Sequence, residues 1–132
     1  MKILIVEDDF ISRRVLTQML APYGECDIAI DGAEAFLAFK LALIESTPYD
    51  LVCMDIMMPR MNGQDSLKLI RAFEKERGIA EAQGVKVVMT SAKEDPRDVV
   101  EAMYGGGATV YIVKPIGKEK LLHELRGLGL IS

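Results

Sequence analysis

Glu7, Asp8 and Asp9 follow one short apolar run, Asp55 follows a second, Thr90 a third and Lys114 a fourth. Three carboxylates such as Asp8, Asp9 and Asp55, if brought together, repel one another unless something positive lies between them. A hard cation with oxygen ligands resolves that repulsion. Magnesium suits it best, because it takes one or two carboxylates, keeps several waters and accepts phosphate oxygens. Lys114 adds a second cationic point and Thr90 a hydroxyl donor. This inventory fits a phosphoryl group better than a sugar or a hydride donor. One carboxylate acts as nucleophile to form an aspartyl phosphate, while metal, ammonium and hydroxyl neutralise the equatorial oxygens.

Short apolar runs alternate with amphipathic stretches, and these must position the polar groups. Lys2–Val6 (KILIV), Cys26–Ile30, Leu51–Met54 (LVCM), Val85–Met89 (VKVVM) and Val110–Val113 (VYIV) read as strands. Between them, helices are predicted with Ile11, Val15, Leu16 and Met19 on one face, then Phe36, Phe39 and Leu43, then Leu67, Ile70 and Phe73. A fourth helix opens at Asp95-Pro96, a capping carboxylate followed by proline at the first helical position. Val99, Val100 and Met103 line it, and Gly105-Gly106-Gly107 ends it. Leu121, Leu122 and Leu125 mark a fifth.

Alternating strands and helices predict an α/β fold, a flavodoxin-like (βα)5 doubly wound sandwich with right-handed crossovers. Its parallel sheet takes the order 2-1-3-4-5. The carboxyl ends of all strands then share one edge, and ligands bind where strand order reverses. Asp8, Asp9 and Asp55 would converge there. Residues 1–127 form the domain and 128–132 a short C-terminal tail.

The 132 residues carry a net charge of −4, which argues against a nucleic-acid surface. No apolar run is long enough to span a bilayer and no signal peptide is evident, so the chain reads as cytoplasmic. Cys26 and Cys53 lie in apolar runs without metal-ligand spacing and read as reduced and buried. His123, the single histidine, is expected to be an exposed helix residue.

The acidic pair after the first strand, the stretch Asp55–Gly63 (DIMMPRMNG), Thr90-Ser91-Ala92 and Lys114-Pro115 together resemble the ordered signature of bacterial response-regulator receiver domains. The resemblance runs from about Lys2 to Arg126. It implies that Asp55 is the phospho-acceptor, in a reaction dependent on Mg2+ (or Mn2+). Asp9 and Asp55 would ligate the metal directly with the backbone carbonyl of Met57, and Asp8 through water. Thr90 and Lys114 would grip the phosphoryl oxygens, with a cis bond before Pro115. Tyr111, three residues before Lys114, matches the switch aromatic. A sensor histidine kinase or histidine phosphotransfer protein would donate, and an unknown downstream protein would read the face formed by helix four, strand five and helix five. A homodimer through that face is left open. Met57 and Ala92, two positions after Asp55 and Thr90, offer no polar group to orient an attacking water, which implies a long-lived phosphoryl group.

Simpler readings stand beside these. Asp8 and Asp9 are suited to capping the first helix, and Asp9 to doing both. Thr90 alone would be a strand-end hydroxyl and Lys114 a surface lysine, while Met57, Met58 and Met61 could pack beneath their loop or adapt to a partner. Three other functions on such a fold fare worse. A phosphohydrolase of the haloacid-dehalogenase type needs its nucleophile in Asp-x-Asp after strand one, where Glu7-Asp8-Asp9 stands. A nucleotide or flavin carrier needs a glycine-rich phosphate loop there. A pseudo-receiver would not need Thr90 and Lys114 beside a complete acidic set. The chain is thus expected to be a signalling switch rather than an enzyme, with Met1 directly before the first strand favouring a natural start.

Overall fold

The computed structural model describes residues 1–92, 96–105 and 107–132. Five strands, β1 (Lys2–Val6), β2 (Glu25–Ala29), β3 (Leu51–Asp55), β4 (Lys86–Ser91) and β5 (Val110–Val113), form one parallel sheet in the order β2-β1-β3-β4-β5. The expected fold class and strand order are both present. Helices α1 (Phe10–Leu20), α2 (Gly32–Ile44), α3 (Gly63–Glu76), α4 (Pro96–Val100) and α5 (Lys118–Gly127) connect and follow them. Among the described residues, no helix is long and apolar enough to cross a membrane.

The inner strands β1, β3 and β4 are apolar on both faces because helices cover both, whereas the edge strand β2 carries Glu25 and Asp27. Leu4, Val6, Val52, Met54, Val87 and Met89 pack on one side with Ala35, Phe39 and Ala42 of α2 and Leu67 and Ile70 of α3. Ile3, Ile5, Cys53, Val88 and Ile112 face the other way, against Leu16 and Leu20 of α1 and Leu121, Leu122 and Leu125 of α5. The two rows follow from the two-residue alternation of a strand.

Two helix faces differ from expectation. In α1 the buried row is Leu16 and Leu20, whereas Ile11 is 70% exposed and Val15 is also exposed. At 100° per residue those two fall on the row beside the sheet-facing one. The fourth helix is α-helical only from Pro96 to Val100 and widens into a π turn over Glu101–Gly105. The wider turn rotates Ala102 into the core and leaves Val100 exposed, with Met103 partly buried. The expected cap Asp95 and the middle glycine Gly106 lie outside the described residues. After α5, Gly129 adopts φ +75° and Leu130 and Ile131 fold back onto the α1–α5 side of the core.

Candidate functional site

Strand register alone assembles most of the site. β1 and β3 align Val6 with Met54, and β3 and β4 align Asp55 with Thr90. Glu7, Asp55, Thr90 and Lys114 each lie two residues beyond an α1–α5-facing apolar side chain, namely Ile5, Cys53, Val88 and Ile112. They therefore continue those rows past the end of the core. The hydrogen bond from Glu7 N–H to the Ala29 carbonyl at 3.1 Å carries the β1 ladder one residue further.

Carboxylate oxygens of Glu7, Asp8 and Asp55 come within 4.8 Å of one another. Glu7 and Asp55 are buried and Asp8 is exposed. The Lys114 ammonium donates to Glu7 Oε1 and to Asp55 Oδ2, the latter at 3.2 Å. Asp55 Oδ1 also accepts the Met57 N–H at 3.2 Å. Burial pushes the Glu7 carboxyl above its usual range, partly offset by Lys114 and reinforced by the negative charge of Asp55. Burial alone would pull Lys114 down, but its bonds to Glu7 and Asp55 outweigh that and hold it above the ordinary lysine value. One ammonium against three carboxylates leaves a negative pocket with hard oxygen donors, which suits Mg2+.

The acidic set is displaced by one residue from expectation. Asp9 was expected as a direct ligand, but its Oδ2 accepts the Ser12 N–H at 2.8 Å and caps α1. That bond holds its carboxyl below the usual range. The helix claims Asp9 because its first turn offers unsatisfied N–H donors. Glu7, not expected as a site residue, takes a place in the cluster. Its signal was available in the alternation Ile3, Ile5, Glu7, which matches Leu51, Cys53, Asp55 on the neighbouring strand.

Thr90 is buried, and its hydroxyl oxygen has no hydrogen-bond partner among the described residues. A donor left unmatched beside a carboxylate and an ammonium is placed to meet an oxygen-rich ligand. Tyr111 pairs with Met89 in register and packs, half-buried, on the opposite side of the sheet from Thr90. The Lys114–Pro115 peptide is cis. Met57 is exposed and Met58 packs against the α2–α3 side of the core. His123 is exposed. Cys53 is buried, and burial pushes its thiol up to about 12; Cys26 is half-buried, and neither is in a disulfide.

The loop from Ile56 to Asn62 is fixed from beneath. Arg60, at φ +65°, donates through Nε to Asp31 Oδ2 at 2.7 Å, and Gly32 N–H bonds the Met61 carbonyl at 2.9 Å. A Cβ on Gly63 would lie 2.2 Å from the Asp55 carbonyl oxygen, so only glycine lets α3 start this close to the end of β3.

A family model described as the response regulator receiver domain matches residues 3–126. The DNA-binding response regulator MtrA of Mycobacterium tuberculosis is 37% identical over 127 residues, covering 95% of this chain and 49% of MtrA. The sensory/regulatory protein RpfC of Xanthomonas campestris pv. campestris is 33% identical over 133 residues, covering 98% of this chain and 17% of RpfC. The chain thus spans half or less of the length of these curated relatives. Among solved structures, the CheX–CheY–BeF3–Mg2+ complex of Borrelia burgdorferi contains a chain that superposes with a TM-score of 0.81 at 29% identity, covering 99% of this chain and 90% of that one. Sequence, fold and the site at the sheet edge agree: the chain belongs to the response-regulator receiver domains of two-component signalling.

Proposed function

We propose that this domain accepts a phosphoryl group on Asp55, from a phosphohistidine of a sensor kinase or phosphotransfer protein, and that the modification alters partner binding at the α4–β5–α5 face. The observation that carries the reading is the orphaned Thr90 hydroxyl beside Asp55 and Lys114, at the edge of a three-carboxylate cluster. An Asp55 carboxylate oxygen attacks phosphorus, the new O–P bond replaces the P–N bond, and the imidazole departs with the electron pair. Lys114 then pairs with a phosphoryl oxygen and Thr90 donates its hydroxyl hydrogen to another.

Glu7, Asp8 and Asp55 would hold the divalent metal, with the Met57 backbone carbonyl as a further oxygen donor. When bound, the ion supplies charge neutralisation at the phosphoryl oxygens. Asp9 is assigned to the helix cap. The relatives named above are a DNA-binding response regulator and a sensory/regulatory protein, and the Borrelia CheX–CheY complex contains BeF3 and Mg2+; both support the reading.

Thr90 moving toward the phosphoryl group would shift the end of β4, and Tyr111, packed on the other face of the sheet beside Met89, would change its side-chain orientation in response. The exposed side chains of Val100 and Tyr104 on the neighbouring segment belong to the face that would change. Titration with Mg2+ and beryllofluoride, followed by NMR, tests both parts. Binding by wild type but not Asp55→Asn, with a changed Tyr111 side-chain environment, is expected. Binding that leaves Tyr111 unchanged refutes the coupling. No binding by wild type refutes the acceptor assignment.

A further inference from the structure

Both ends of the turn Glu7–Asp8–Asp9 are tied by hydrogen bonds. Glu7 bonds Lys114 through Oε1 and the Asp9 N–H through Oε2 at 3.2 Å, and Asp9 caps α1. None of these bonds falls on the exposed Asp8 carboxylate. Its aim toward Glu7 and Asp55 therefore depends on the backbone that carries it, above all on the orientation of the peptide joining Glu7 to Asp8. One side chain grips that peptide. Arg13, one turn into α1, reaches back so that Nη1 donates to the Glu7 carbonyl oxygen at 3.1 Å. Its own N–H bonds the Asp9 carbonyl at 2.9 Å, and its guanidinium lies 5.5 Å from the centre of the Phe10 ring. Helix, ring and carbonyl together hold the guanidinium in one place.

We infer that Arg13 is a positioning residue for divalent-metal binding: by holding the Glu7–Asp8 peptide it aims the Asp8 carboxylate into the acidic cluster. The inference rests on the reading of that cluster as the metal site. Two effects of the guanidinium oppose each other, which makes the idea testable by sign. As a nearby positive charge, Arg13 repels a divalent cation, so a residue acting by charge alone would weaken binding, and removing it would tighten binding. As an outer-shell support, Arg13 strengthens binding, and losing such supports typically weakens metal affinity by about 10–100-fold. Lysine retains the charge but is a point donor without the guanidinium fork, so it restores the bond only in part.

Isothermal titration with Mg2+ at constant ionic strength would compare wild type, Arg13→Met, Arg13→Lys and Asp8→Asn, with thermal melts to establish that each is folded. Methionine keeps an apolar stem against Phe10. The expected result is affinity about 10-fold or more weaker in Arg13→Met, with Arg13→Lys between it and wild type. Unchanged or tighter binding in folded Arg13→Met overturns the positioning role while leaving the metal site intact. Absence of Mg2+ binding by wild type, or binding indifferent to Asp8→Asn, overturns the site reading itself and the inference with it. Should Arg13→Met fail to fold, the folded Arg13→Lys variant decides: affinity equal to wild type overturns the inference, and a several-fold loss supports it.

Discussion

Replacing Thr90 by valine should make the protein more stable and worse at its proposed task. The side chain is 1% exposed and its hydroxyl oxygen meets no partner among the described residues. A buried hydroxyl without a hydrogen bond costs about 1–3 kcal/mol. Valine has nearly the same shape, so the substitution removes that cost without opening a cavity, and the expected gain is about 1–2 kcal/mol. For a chain of this size that corresponds to a rise in Tm of roughly 4–7 °C. The same hydroxyl, once bonded to a charged phosphoryl oxygen, is worth about 1.5–3 kcal/mol. Its loss should weaken beryllofluoride binding about 10- to 100-fold. Thr90→Ser separates the two roles, since it keeps the hydroxyl and loses a methyl. It should bind beryllofluoride nearly as wild type does while melting lower. Calorimetric melting of the metal-free proteins gives the first quantity and beryllofluoride titration in Mg2+ the second. A Thr90→Val variant that melts at or below wild type refutes the idea of an unsatisfied hydroxyl. Undiminished beryllofluoride affinity refutes its role as a ligand.

Gly63→Ala puts a Cβ 2.2 Å from the Asp55 carbonyl oxygen, where only backbone movement can relieve it; about 2–3 kcal/mol of destabilisation by urea titration is expected, together with weaker beryllofluoride binding. Glu74 is buried, accepts the Val85 N–H at 2.7 Å and pairs with Arg71, which also donates to the Gly107 carbonyl, so Glu74→Ala should cost about 2–4 kcal/mol. Glu74→Gln should cost less, because an amide oxygen still accepts the Val85 N–H; equal costs by urea titration would contradict that account. Asp31 is held below its usual carboxyl range by the Glu34 N–H and, against the effect of burial, by Arg60. Its charge therefore stabilises the fold above the unfolded-state value of about 3.9 and loses that effect as pH falls through the folded value. Asp31→Asn keeps the cap and loses the Arg60 pair, so its stability gap to wild type should be present at neutral pH and close below about pH 4.

Strand positions were legible because five apolar runs lie at helix-length intervals and the two-residue period puts their ends in line. Asp55, Thr90 and Lys114 stood out as polar groups directly after such runs, and the structure brings them together. The acidic cluster lies one residue earlier than the Asp8-Asp9 pair that stands out in sequence, because the helix N-terminus competes for Asp9. Only the strand parity that carries Ile5 into Glu7 exposes the difference. The α1 face was misread because apolar residues occupy two adjacent helix rows, and composition does not say which row meets the sheet. The π turn after α4 has no periodic signature in so short a segment, so Ala102 was passed over in favour of Val100. Residues 128–132 read as a tail in sequence, and Gly129 lets the chain turn back so that Leu130 and Ile131 are partly buried.

Intact-mass measurement after incubation with acetyl phosphate, with and without Mg2+, for wild type and Asp55→Asn, tests the central claim most directly. A single phosphoryl adduct on wild type, dependent on Mg2+ and missing from Asp55→Asn, is the predicted result. A folded wild type that gains no adduct, or an Asp55→Asn protein that gains the same one, contradicts the assignment of Asp55 as the acceptor.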